Sequence, residues 1–136
     1  MAAPPTKTPA NASAWVRSLV ALGAINGLIA VGLAAAATHA FAGRFVTRGA
    51  EWFALAGHFH AMHALALIAS SWVCDRFPRS RLAPLAGIGF LLGIVLFSGA
   101  LYFRALGGEG WFAHTVPMGG TLWLIAWLAL ALSPFI

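Results

Sequence analysis

Four long apolar runs, parted by short charged or glycine-rich breaks, dominate this 136-residue chain. They cover about residues 16–39, 52–74, 82–103 and 111–135. A helix needs about 20 apolar residues to cross the hydrocarbon of a bilayer, and each run is long enough. None shows the period-two alternation of a half-buried strand. In hydrocarbon a lone extended segment would leave its backbone N–H and C=O groups unpaired, which a helix avoids. Breaks this short force consecutive helices to lie antiparallel. The expectation is an all-α polytopic membrane protein, an antiparallel bundle of four transmembrane helices over residues 15–136. Residues 1–14 carry three prolines and no apolar period, and read as a disordered tail.

Charge supports this reading. Only 8% of the residues are charged, eight Lys and Arg against three Asp and Glu. A soluble domain carries about 25%, so these charges could not clothe a water-facing surface. The net charge of +5 does not point to nucleic acid, because the basic residues are scattered between apolar runs and form no stripe. They read as topology signals instead. Lys7, Arg17, Arg76, Arg79 and Arg81 fall on one side, and Arg44, Arg48 and Arg104 on the other. The dense Arg76–Arg81 cluster decides the orientation, with both termini cytoplasmic. The first run is too long for a cleaved signal, whose apolar core spans about 7–15 residues. The single cysteine, Cys74, allows no internal disulfide and no CxxC site.

Small residues mark where helices approach. Gly23 and Gly27 form one GxxxG spacing, with Asn26 between them, and Gly89 and Gly93 form a second. Lipid gives helices no hydrophobic drive to associate, so close backbone contact and polar side chains do that work. Asn26, inside a span, calls for a hydrogen-bond partner on a neighbouring helix.

Five histidines are the residues most able to carry chemistry. His39 closes the first run, His58, His60 and His63 lie in the second, and His114 opens the fourth. The antiparallel topology gathers them in the half of the membrane away from Arg76–Arg81. His63 lies about 16 Å below Trp52, near the midplane. His60 and His63 share a helix face, while His58 stands about 200° from His60. A metal site would therefore draw on His60 and His63 with His39 or His114, and could hold copper, zinc or haem. The competing reading is neutral imidazoles hydrogen-bonded between helices, with no cofactor. The chain has no nucleophile elbow, phosphate loop or zinc-protease motif, and no catalytic residue is assigned. Glu51 and Glu109 are both loop carboxylates.

Several blocks resemble a known family. Leu96-Phe97-Ser98-Gly99-Ala100-Leu101-Tyr102, then Pro117-Met118-Gly119-Gly120, and upstream His63-Ala64-Leu65-Ala66, follow one another in order. They are similar to the "LFSGSLY", "TPxGG" and "HxLA" blocks of the small four-helix membrane proteins of unknown function that include YgdD-like and YwdK-like bacterial proteins and a mitochondrial relative. The family's "GAFGAH" block has its counterpart ending at His39. The resemblance covers about residues 20–130 and implies a four-helix protein of the inner membrane. It brings no activity, cofactor or catalytic residue. The matched positions are His39, His63, Ser98, Gly99, Tyr102, Pro117, Gly119 and Gly120. Alanines and a threonine fill positions 34–38, and Val116 stands where threonine is usual. His58 and His60 receive no support as ligands from the resemblance.

Physically, Ser98 is expected to bond a carbonyl or a neighbouring helix, and Gly99 to face another helix of the bundle. Tyr102 is expected at the membrane boundary. Pro117 is expected to leave an earlier carbonyl free, with Gly119 and Gly120 making a thin spot for a neighbouring helix. Two functions stay open: a structural or accessory membrane protein that packs against another membrane protein or a second copy, and a metal- or haem-binding one. The topology is directly testable. Reporter fusions at the C-terminus and within 104–110 should give opposite answers, and the same answer at both would refute four spans.

Overall fold

The computed structural model describes residues 13–136. It has four helices long and apolar enough to cross a membrane: α1 (Ala14–His39), α2 (Gly49–Arg76), α3 (Leu82–Ala105) and α4 (Val116–Phe135). No strand occurs among the described residues. Most of the expected tail lies outside the described residues. Its last two positions start α1, where the Ser13 side chain caps the helix by accepting from the Val16 N–H at 3.3 Å.

Two boundaries differ from the sequence reading by three residues or more. The loop before α2 docks on the end of α3: Val46 N–H donates to the Ala105 carbonyl at 3.1 Å, and Gly49 packs against that same carbonyl. This brings the start of α2 forward to Gly49. The fourth helix begins at Val116, not at Trp111. Gly110, at φ 102°, ends the preceding turn, and residues Trp111–His114 form a separate tight 3-10 turn. Pro117 then sits in the first turn of α4. Its missing N–H has no helical carbonyl to bond there, so no carbonyl is freed.

Helices α2 and α3 form the centre. In their most apolar stretches 44% of residues are buried, against 22% in α1 and α4. Helix α1 meets α2 along one stripe, Leu19, Gly23, Asn26 and Ala30, spaced as a single helix face. Gly23 lies against Ile68 and the Ala64 carbonyl.

The α3–α4 seam is close along its length. A Cβ on Gly119 would fall 2.5 Å from the Phe97 backbone nitrogen, and one on Gly89 would fall 2.9 Å from Ala126. Gly93 lies directly beneath the Trp123 indole. Gly27 and Gly99 take no such part. Beside Gly27 there is open space, and Gly99 meets the ring of Phe112 at an ordinary 3.4 Å, in the turn ahead of α4 rather than on a helix. Gly120 likewise makes only ordinary contact with Phe97, at 3.8 Å.

Within α3, residues Ile94–Gly99 form a π-helical turn. Such turns widen the helix by one residue and displace its carbonyls. Ser98 is fully buried there and its Oγ has no hydrogen-bond partner, so it neither back-bonds nor crosses to a neighbour. Ser70, in regular helix, does bond back to the Ala66 carbonyl at 2.8 Å.

Substituting alanine for glycine separates these environments. Gly93→Ala and Gly119→Ala should each cost about 1–3 kcal/mol through overpacking. Gly27→Ala should be neutral or stabilising, because alanine favours helix over glycine by about 1 kcal/mol. Gly99→Ala should melt with the parent. Thermal melts in mild detergent test all four, and a parent-like melt for Gly119→Ala would contradict the seam.

Candidate functional site

Several polar side chains of the spans form two bonded sets on the inner faces of the helices. In the first, Asn26 of α1 donates through Nδ2 to the Leu22 carbonyl at 2.8 Å. A carbonyl can only accept, so this bond fixes the amide, and Oδ1 faces His60 of α2 at 3.1 Å from Nε2. Oδ1 is an acceptor, and His60 must therefore carry its proton on Nε2. That leaves Nδ1 as an acceptor for the Tyr102 hydroxyl of α3, 3.3 Å away. Three helices are thus joined through one neutral imidazole. Tyr102 turns inward to do this, packing on the buried Phe53 with ring centres 4.6 Å apart, rather than lying at the membrane boundary.

The second set has the opposite tautomer. His63 Nδ1 lies 2.8 Å from the Phe59 carbonyl, so Nδ1 donates and Nε2 accepts. The Trp127 N–H of α4 points at that Nε2 from 3.3 Å. The His63 ring stacks on Trp123, with centres 3.7 Å apart and planes 3° from parallel. Trp123 in turn donates to the Phe90 carbonyl of α3 at 3.2 Å. His63 is 1% exposed, so no water competes for these bonds.

The histidines do not converge on a metal. His39 and His58 are exposed, His39 at the end of α1 and His58 on the outer side of α2. His114 is exposed and donates from Nδ1 to the Gly110 carbonyl at 2.9 Å. Among the described residues no group of three His, Cys, Asp or Glu side chains could hold a metal ion. The physical reason is visible in the bonds. A ligand nitrogen needs a free lone pair, and the lone pairs of His60 and His63 are engaged by Tyr102 and Trp127. The alternative of a copper, zinc or haem site on His60 and His63 with His39 or His114 finds no converging set of ligands among the described residues.

Trp123, Trp127 and Thr115 were not singled out in the sequence. Trp123 and Trp127 stand four apart, hence on one helix face, which is the signal that could have paired them. Thr115 Oγ1 lies 2.8 Å from the Leu96 carbonyl and 2.9 Å from that of Phe112, sharing its hydrogen between them. It ties the start of α4 to the π-helical turn of α3.

Comparison with known proteins places the chain in a family. Residues 33–120 match DUF423, described as proteins of unknown function. The chain belongs to the DUF423 family. Among its relatives, the UPF0382 membrane protein YwdK of Bacillus subtilis is 30% identical over 118 residues, 87% of this chain and 96% of that protein. A UPF0382 membrane protein of Haemophilus influenzae is 31% identical over 112 residues, 82% of this chain and 89% of that one. No solved structure matches the chain. Within this DUF423 protein, the matched stretch contains His60, His63 and Tyr102, while Asn26 and Trp127 lie outside it.

The tautomers can be measured. Nitrogen NMR of histidine-labelled protein should show His60 protonated at Nε2 and His63 at Nδ1. A proton on Nδ1 of His60 would contradict the three-helix chain. Tyr102→Phe should lower stability by about 0.6–2 kcal/mol, the range for a hydrogen bond between membrane helices.

Proposed function

We propose that this membrane protein is a non-catalytic structural or accessory subunit, which receives a transmembrane segment of a partner on α1. In the same reading it lies in a bacterial inner membrane, with both termini and the Arg76–Arg81 loop on the cytoplasmic side. The observation that carries the proposal is the shape of α1. Its stripe toward α2 is buried, and the opposite face, Ala21, Ala24, Leu28, Val31, Gly32 and Ala35, is exposed throughout. Small residues on that face would let a second helix come close, as membrane helix pairs do. Leu28 and Val31, 74% and 70% exposed, stand out as side chains a partner helix could take between its own.

The interior supports the same reading. Its imidazoles are neutral and committed to bonds that join helices, which suits a scaffold better than a reaction centre. No pair of acids lines the spans, since Glu51 sits in the first turn of α2, Asp75 in its last turn and Glu109 in the loop after α3.

Photo-crosslinking in native membranes tests the reading. A photoreactive residue at Ala24 or Ala35 should give a discrete adduct with one membrane protein, or a dimer if the partner is a second copy. The same residue at Leu128 of α4 should give lipid adducts alone. Adducts from α4 with none from α1 would overturn the assignment of the face.

A further inference from the structure

At the end of the bundle away from the Arg76–Arg81 loop, a cleft of about 490 Å³ opens beside the Gly107–Gly110 turn. Its walls include Trp52, Arg104, Glu109 and His114. Arg104 closes α3, and its guanidinium lies over the Trp52 ring, 4.6 Å from the ring centre. Stacking on an aromatic face orients the planar guanidinium while leaving its N–H edge free to bond. Neither Arg104 nor Glu109 forms an ion pair among the described residues, where the one such pair is Arg48 with Glu51. The cleft therefore holds a cation and an anion that do not neutralise each other. His114 adds a third group of defined polarity. Its Nδ1–H is spent on the Gly110 carbonyl, so in the neutral ring Nε2 is an acceptor.

We propose that this cleft binds the phosphoethanolamine headgroup of a membrane lipid. Arg104 donates to the phosphate, in the geometry that favours arginine at phosphate oxygens. Glu109 and Nε2 of His114 accept from the primary ammonium. The cleft lies where α3 ends and Trp52 sits near the start of α2, the depth at which headgroups meet aromatic side chains. The acceptor pair sets the selectivity. A primary ammonium has N–H groups to give to Glu109 and His114. A choline headgroup has the charge and no N–H. A glycerol headgroup leaves Glu109 facing no cation, and inorganic phosphate brings no ammonium to either acceptor.

The test is native mass spectrometry of the full chain in detergent, titrated with short-chain phosphatidylethanolamine, phosphatidylcholine, phosphatidylglycerol and inorganic phosphate. The ethanolamine lipid should bind about tenfold more tightly than the other two lipids, the scale of one charge-assisted hydrogen bond. Glu109→Gln, an exposed turn residue whose change leaves the fold intact, should abolish that preference while binding persists. Arg104→Gln should weaken all three lipids. Equal binding of the three lipids by the parent, or a preference that survives Glu109→Gln, overturns the proposal. Inorganic phosphate binding as well as the ethanolamine lipid would mean a simple anion site and would also overturn it, as would the absence of any binding.

Discussion

Hydrocarbon offers no hydrogen bonds, so every polar group carried into the membrane must find its partner inside the protein. In this bundle that requirement falls on a few side chains. Asn26, His60 and Tyr102 satisfy one another across α1, α2 and α3, while His63 of α2 accepts from Trp127 of α4 and Trp123 of α4 donates to the Phe90 carbonyl of α3. Each bond fixes the next. The Leu22 carbonyl orients Asn26, which sets the tautomer of His60, which makes Tyr102 a donor. Exchanging donors and acceptors at any link would leave an unpaired group in a medium with no water to rescue it. The four helices are thereby held in one rotational setting, which apolar packing against lipid would not specify by itself.

The π-helical turn in α3 belongs to the same scheme. Its displaced backbone would leave carbonyls short of partners, and α4 supplies one through Thr115. Thr115, just ahead of α4, and Gly119, Trp123 and Ala126 along it fall on one face and meet Leu96, Phe97, Gly93 and Gly89 in turn. Small residues sit where backbones or an indole must come close, so the seam combines close contact with carbonyl capping. Ser98 is the exception, a buried hydroxyl in the widened turn without a bond.

Bonded polar groups and exposed surface are therefore separated in this protein. The centre of the bundle is polar but committed to structure. The exposed outer face of α1 and the charged cleft at the end of α3 lie at its edges. A relative share of burial twice as high in α2 and α3 as in α1 and α4 expresses the same division.

The four spans, their antiparallel order and the membrane class were legible in the sequence, because apolar length and scarce charge leave a chain no other way to satisfy its backbone. The need of Asn26 for a partner was legible on the same ground. Which glycines pack was not. Gly23 and Gly27 carry the same spacing, yet one touches Ile68 and the other faces open space, since the spacing does not say how the helix is rotated. The start of α4 was misplaced for a similar reason: residues 111–115 are as apolar as a helix, and only the left-handed Gly110 and the bond from Thr115 set the boundary. The histidines mark the limit most clearly. The sequence put them in one half of the membrane, but ligand or strut depends on where each lone pair points. The tertiary structure alone decided that, by bringing a tyrosine hydroxyl and a tryptophan N–H from distant helices to those two nitrogens.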